Sequence, residues 1–97
     1  MPIFMMFGKY TQKGMTGIRP ERTEKAHALI DKLGGKVVSM YAVLGEDDLV
    51  LTLDLPDTEA AMAASVALHK LTGVAFRTSP VVAVEKFDAL LGEAANI

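Results

Sequence analysis

The residues of this chain most suited to ligand chemistry are two arginines near the start of a predicted helix. Arg19 and Arg22 lie about one helical turn apart, on the stripe that the later apolar positions of the helix also occupy. Guanidinium groups bind carboxylates and phosphates through paired hydrogen bonds, so this pair could hold the anionic group of a ligand. In the structural alternative, both side chains reach past the sheet edge or pair with Glu21, Asp47 or Asp54.

Polar side chains inside the predicted strands form a second candidate site. Side chains two positions apart share a strand face, which groups Ser39 with Tyr41, Thr52 with Asp54, and Arg77 with Ser79. If that face lies opposite the helices, these groups are polar anchors in an apolar space, which suits a small-molecule pocket or a hydrogen-bonded dimer core equally. The candidate ligand-binding residues are therefore Arg19, Arg22, Tyr41, Thr52, Asp54 and Arg77.

Neither the acidic residues nor the histidines have the spacing of a metal site. Glu46, Asp47 and Asp48 could bind a hard cation or act as a general acid or base, but no further ligand follows at the spacing of a calcium loop. Such acids ordinarily belong to a solvated turn. His27 and His69 are the two histidines, and the chain has no cysteine to join them. The sequence predicts no metal and no cofactor, and it identifies no catalytic residue.

The N-terminus supports one specific catalytic hypothesis. Removal of Met1 would leave Pro2 as a secondary amine, which could act as a base if it were buried near cations. This opening resembles that of tautomerases, in which Arg19, Arg22 or Arg77 would bind the substrate carboxylate. Met-Pro is also an ordinary start of a chain, which makes tautomerase activity the least favoured function for this sequence.

The elements that position these residues follow from hydrophobic periodicity and from turn residues. Ala26, Leu29, Ile30 and Leu33 have helical spacing, and Gly34 follows them as a stop. A four-residue polar turn at 45–48 joins two strands as a hairpin. The predicted strands cover 3–10, 36–44, 49–55 and 74–82; the predicted helices cover 20–33, 58–71 and 84–94; and 11–17 is a predicted loop. This order is a ferredoxin-like β-α-β-β-α-β fold of the α+β class, with an antiparallel four-stranded sheet and a C-terminal helix.

The predicted strands are apolar on both faces, yet two helices can cover only one of them. In the first strand Ile3, Met5 and Phe7 alternate with Phe4 and Met6. In the second, Val38, Met40, Ala42 and Leu44 alternate with Val37, Tyr41 and Val43. A second copy of the sheet is the expected cover for the other face, which predicts a homodimer or higher oligomer with a cavity between the sheets.

Composition limits the classes of partner. The 97 residues suffice for a single domain, 1–97, and a mean hydropathy of +0.29 is high for so small a domain. A formal charge of −2 without a cluster of Lys and Arg argues against nucleic acid as a partner. No apolar run approaches the roughly 20 residues of a membrane-spanning helix. With no cysteine and no signal-peptide pattern, we expect a cytoplasmic protein.

Residues 44–50 of the chain, Leu-Gly-Glu-Asp-Asp-Leu-Val, together with 22–25 and 34–37, resemble the GYD domain family. These are small bacterial and archaeal domains named for a Gly-Tyr-Asp signature. Gly45, Glu46 and Asp48 match the turn typical of the family, and Asp47 stands where tyrosine is usual. The resemblance extends from the first strand to the fourth and implies a dimeric α/β-barrel type of domain, in a family without a settled biochemical role.

These observations favour a small oligomeric domain that binds a small molecule or acts as an assembly or regulatory module. The alternative is a cofactor-free enzyme of the dimeric α/β-barrel kind, a monooxygenase or isomerase, that uses the side of the sheet bearing Tyr41, Asp54 and Arg77.

Overall fold

Residues 1–96, which the computed structural model describes, form four strands and four helices. The strands are β1 (Ile3–Tyr10), β2 (Lys36–Ala42), β3 (Leu49–Asp54) and β4 (Val74–Val81). The helices are α1 (Gln12–Thr16), α2 (Pro20–Lys32), α3 (Thr58–Thr72) and α4 (Val84–Ala95). None of these helices has both the length and the apolar character that a membrane-spanning segment requires.

The strands form one antiparallel sheet in the order β2-β3-β1-β4. β1 is central, and it pairs with β3 on one side and β4 on the other. Helices α2 and α3 pack together over one face, so the ferredoxin-like fold predicted from the sequence is confirmed. Pro80 cannot donate a backbone hydrogen bond, and it lies on the edge strand β4, where no ladder bond is lost.

The hydrophobic core lies between the helices and one side of the sheet, here called the helix face. Phe4 and Met6 of β1 alternate into it, and so do Leu51 and Leu53 of β3. All four side chains are at least 97% buried, as the alternation in these strands predicts. The helices contribute Ala26, Ile30, Ala61, Ala64 and Leu68.

Helices α2 and α3 begin and end at residues that the sequence marks. Pro20 opens α2, where its missing N–H leaves no hydrogen bond unmade. The Asp57 carboxylate caps α3 by accepting a hydrogen bond from the Ala60 N–H at 2.8 Å. Gly73 ends α3 at φ +73°, a left-handed conformation that glycine adopts at little cost.

Residues 11–17 are not the loop that the sequence predicts, because they contain the short helix α1. The Thr11 hydroxyl caps α1 by accepting from the Gly14 N–H at 3.1 Å, and it donates to the Gly73 carbonyl. A Cβ atom at Gly14 would lie 2.9 Å from that carbonyl oxygen. Gly14 therefore allows α1 to pack closely on the end of α3, and it does not form a turn. The loop prediction was wrong because it took this glycine as a turn residue.

The alternation predicted along the second strand is also wrong, because β2 contains a β-bulge between Val37 and Ser39. The extra residue places Val37 and Met40 together on the helix face, opposite Leu53 and Leu51. Val38 is left exposed.

The other side of the sheet, here called the open face, has no layer of the described chain over it. Ile3, Met5 and Phe7 of β1 and Val50 of β3 lie on this face and are only partly buried. Helix α4 does not cover them, since none of its residues is buried.

Candidate ligand-binding site

A cavity of 320 Å³ lies between α2, the end of α3 and the helix face of the sheet. We call it the helix-side cavity. Its apolar walls include Ala26, Met40, Leu51, Leu68 and Phe76, and its polar lining includes Tyr10, Arg19, Arg22, Thr23 and Thr72. Small-molecule sites in proteins typically enclose about 300–1,000 Å³, so this cavity suits a small metabolite.

Arg22 is fixed at the cavity by the ends of two other helices. Its Nη1 donates to the Gly14 carbonyl at 2.8 Å and to the Thr72 carbonyl at 3.0 Å. The guanidinium carbon also lies 5.8 Å from the centre of the Tyr10 ring. Within residues 1–96, Nη2 and Nε have no hydrogen-bond acceptor. Arg22 is thus a positioned cation with donors left over for a carboxylate.

Arg19 is the second cation of the cavity. It is exposed at the N-cap of α2, where the positive end of the helix dipole adds to its charge. The one ion pair within residues 1–96 joins Arg77 to Asp47, at 3.3 Å. The alternative that Arg19 and Arg22 pair with Glu21, Asp47 or Asp54 is therefore wrong for the described chain. An apolar cavity with two cations and no acidic partner is electrostatically suited to an anion.

Three of the six candidate ligand-binding residues line the helix-side cavity: Arg19, Arg22 and Tyr41. The register of β2 assigns Tyr41 to the open face, but β2 is an edge strand and Tyr41 borders the cavity as well. The candidate ligand-binding residues chosen from the sequence do not include Tyr10 or Thr72, which also line the cavity. The signal for Tyr10 is its spacing from Phe4 and Met6, which places all three on one face of β1.

The other three candidates lie on the open face: Thr52, Asp54 and Arg77. Arg77 belongs to the cross-strand row of Phe7, Val50 and Tyr41. Tyr41 and Arg77 occupy opposite edge strands of that row, roughly 14 Å apart. Asp54 lies four residues from Val50 along β3, roughly 13 Å from the row. Within one copy, Tyr41, Asp54 and Arg77 are therefore not gathered as a catalytic group.

Arg77 is bound to the surface of its own chain. Its guanidinium carbon lies 4.8 Å from the centre of the Phe7 ring, and Nη2 donates to Asp47 Oδ2 at 3.3 Å. Because the Arg77 side chain is 68% exposed, the ion pair contributes little to stability.

The turn that matches the GYD signature is attached to β1 through Asp48. Asp48 Oδ2 accepts a hydrogen bond from the Tyr10 N–H at 2.9 Å, and the Asp48 N–H donates to the Gly8 carbonyl at 2.8 Å. Gly45 adopts φ +129°, which disfavours any residue with a Cβ atom. Glu46 is exposed. The turn therefore fixes the end of β1, and with it the position of Tyr10 in the cavity.

We expect Asp48→Ala to lower the free energy of unfolding by about 2 kcal/mol, because it leaves the Tyr10 N–H without its charged acceptor. Denaturant unfolding measures the loss. Asp48→Asn keeps an acceptor oxygen and should recover part of it. The neighbouring Asp47→Ala is the control, because it removes only the exposed pair with Arg77 and should cost less than about 1 kcal/mol. Equal losses for Asp47→Ala and Asp48→Ala would contradict the proposed attachment.

The acids, the histidines and Pro2 form no further site in this structure. No group of three or more His, Cys, Asp or Glu side chains is placed to bind a metal within residues 1–96. His27 is exposed on α2, and His69 Nδ1 lies 2.9 Å from the Val74 carbonyl oxygen. Pro2 is exposed and precedes β1, whose opposite end carries Tyr10 and the cavity.

The fold and the cavity define a ferredoxin-like domain with a candidate site for a small anionic molecule between its helices and its sheet. The family model of the GYD domain matches residues 4–91. The chain belongs to the GYD domain family, which confirms the resemblance carried by the turn at 45–48.

Comparison with solved structures identifies regulatory proteins that contain a similar fold. A transcriptional regulator is 18% identical, with a TM-score of 0.66 over 86% of this chain and 51% of that one. The leucine response regulatory protein LrpA of Mycobacterium tuberculosis is 16% identical, with a TM-score of 0.56 over 84% of this chain and 51% of that one. A feast or famine regulatory protein of M. tuberculosis, complexed with L-methionine, is 17% identical, with a TM-score of 0.57 over 86% and 51%.

These likenesses establish the fold alone, because all three identities are low. The chain spans about half the length of the solved structures it matches. A comparison with curated proteins gave no significant match.

Proposed function

We propose that this chain is a small-molecule-binding module of the regulatory type, and that the helix-side cavity binds an amphipathic anion. The observation that carries the proposal is the pair of guanidinium groups, Arg19 and Arg22, beside an apolar cavity without an acidic partner in residues 1–96. The L-methionine complex of a regulatory protein with a similar fold supports it, since methionine combines a carboxylate with an apolar side chain.

The two parts of the cavity match the two parts of such a ligand. Arg22 Nη2 and Nε, together with Arg19, can donate to a carboxylate, and hydrogen bonds to charged groups contribute about 1.5–3 kcal/mol each. The wall formed by Met40, Leu68 and Phe76 can bury the apolar part, at about 0.8 kcal/mol per methylene group. Neither part alone gives strong binding, so we expect the site to require both.

We further propose that the module is a homo-oligomer in which a second copy covers the open face. The partly exposed apolar side chains of β1 support this, since contiguous apolar patches on a small domain usually mark an interface.

Octanoate, octanol and octylamine test the ligand class, because they share one apolar chain and differ in head-group charge. We expect octanoate to raise the midpoint of thermal unfolding and to bind at least about tenfold more tightly than octanol, the gain of one charge-assisted hydrogen bond. Octylamine should not bind, since the cavity already carries two cations. Calorimetric titration measures all three affinities.

Arg19→Gln should weaken octanoate binding about tenfold and leave octanol binding unchanged, because it removes charge without removing apolar wall. Arg77→Gln is the matched control, as it removes a guanidinium from the open face. Equal affinity for octanoate and octanol would overturn the proposal, and so would an equal effect of the two arginine variants.

A further inference from the structure

Helix α4 is amphipathic but packs against no other helix or strand of the described chain to any substantial extent. Val84, Phe87, Leu90 and Leu91 fall on one stripe of the helix, and these four residues are 46–72% exposed. The opposite side carries Glu85, Lys86 and Glu93. We call the apolar side the α4 stripe.

A helix of this length is not stable without a partner. α4 has 12 residues, and isolated helices shorter than about 12–15 residues are marginal in water. Helices in proteins obtain most of their stability from packing of an apolar face, and the α4 stripe has no such packing in one copy. The α4 stripe is therefore an apolar surface available to a partner outside the described chain.

The sheet of the same copy does not cover the α4 stripe. Only Val82 and Ala83 separate β4 from α4, and the chain through Ala83 is extended, with φ −61° and ψ 145°. The molecule measures 53 × 31 × 17 Å, and a thickness of 17 Å accommodates the sheet and one helix layer. A helix on the open face would add roughly 10 Å to that thickness. α4 therefore extends along the molecule rather than over its own open face.

We propose that α4 is an exchanged arm, and that the α4 stripe of each copy packs on the open face of a second copy of this chain. Both apolar surfaces belong to the same polypeptide, so one two-fold axis covers both of them in both copies.

The area of the two surfaces agrees with a stable dimer. Four large side chains that are about half exposed present roughly 400 Å² of α4 for burial. Each copy would bury this stripe and a similar area of its own open face, so each partner loses roughly 800 Å², the size of a standard protein interface.

One charge beside each of the two surfaces is complementary to the other. Asp88 borders the α4 stripe, and Lys9 is an exposed cation of the open face with no ion pair within residues 1–96. Opposite charges around an apolar contact favour its correct orientation over other pairings.

Cross-linking tests the exchange directly, because the natural chain has no cysteine. One chain carries Met5→Cys on the open face, and a second chain with a size tag carries Leu91→Cys on the α4 stripe. A short bismaleimide should join the two chains of the mixed dimer. Ala89→Cys, on the polar side of α4, replaces Leu91→Cys in the control and should cross-link at most a tenth as efficiently.

Sedimentation gives the second readout. Leu91→Asp should raise the dissociation constant of the dimer on the order of 100-fold, whereas Ala89→Asp should leave it unchanged. A wild-type chain that is monomeric, a Leu91→Asp variant that dimerises normally, or equal cross-linking through Leu91→Cys and Ala89→Cys would each overturn the exchange. None of these readouts involves the helix-side cavity, so the exchange can fail while octanoate binding succeeds, and the reverse.

Discussion

Gly73→Ala is expected to lower the free energy of unfolding by about 3 kcal/mol, the sum of left-handed strain and a backbone clash. The residue adopts φ +73° at the end of α3, and a Cβ atom there would lie 2.8 Å from the backbone nitrogen of Gly14. Because the opposing atom is backbone, α1 itself must move. Denaturant unfolding measures the effect.

The same substitution should also weaken ligand binding. The carbonyl groups of Gly14 and Thr72 hold Arg22 in place, and both lie at the contact that Gly73→Ala would open. We therefore expect lower affinity for octanoate in the fraction of protein that remains folded, with little change for octanol.

Gly34→Ala is the matched control for Gly73→Ala. Gly34 is also left-handed, at φ +82°, but its Cβ atom would meet only the Pro56 side chain, at an ordinary 3.4 Å. This variant should therefore show the backbone strain alone, about 1 kcal/mol. If the two variants are equally destabilised, then the close approach of α1 to α3 is not a feature of the folded protein.

The sequence predicted the sheet and the main helices because their signals are local. The alternation of Phe4 and Met6 with their neighbours in β1 and the helical spacing of Ala26, Ile30 and Leu33 depend on nearby positions in the chain alone. The short helix α1 could not be predicted in this way, since Gly14 is suited to it only through contact with Gly73, far along the chain. The β-bulge at Val37 could not be predicted for a similar reason, because a bulge is defined by the pairing of β2 with the neighbouring strand β3.

The candidate site was predictable in part. Arg19 and Arg22 were found from their types and helical spacing, and both line the cavity. That neither has an acidic partner within residues 1–96 is a property of the tertiary structure, in which Asp47 pairs instead with Arg77, 30 residues away in sequence. The cavity itself is a space between α2 and the sheet. Its volume depends on how these elements pack, which a pattern of residues in the sequence does not predict. A substitution that places a larger side chain in the cavity therefore tests whether the cavity exists and binds the ligand.

Ala26→Leu is expected to reduce octanoate affinity at least about tenfold while leaving the free energy of unfolding unchanged or raised by up to about 2 kcal/mol. Ala26 is 4% exposed and lines the helix-side cavity, so a leucine there would extend into space that the ligand would otherwise occupy. Calorimetric titration and denaturant unfolding measure the two effects.

Ala64→Leu makes the same chemical change where there is no space for it. Ala64 is 0% exposed on α3 and lies outside the cavity lining, so the larger side chain should overpack the core and cost about 1–3 kcal/mol. Its effect on octanoate affinity should be small. The free energy of unfolding should therefore fall for Ala64→Leu and should not fall for Ala26→Leu, which distinguishes a ligand cavity from tightly packed core. If Ala26→Leu destabilises the protein as much as Ala64→Leu, then the space beside α2 is closed in solution. Arg19 and Arg22 would then not border an apolar cavity, and the proposed ligand site would be absent.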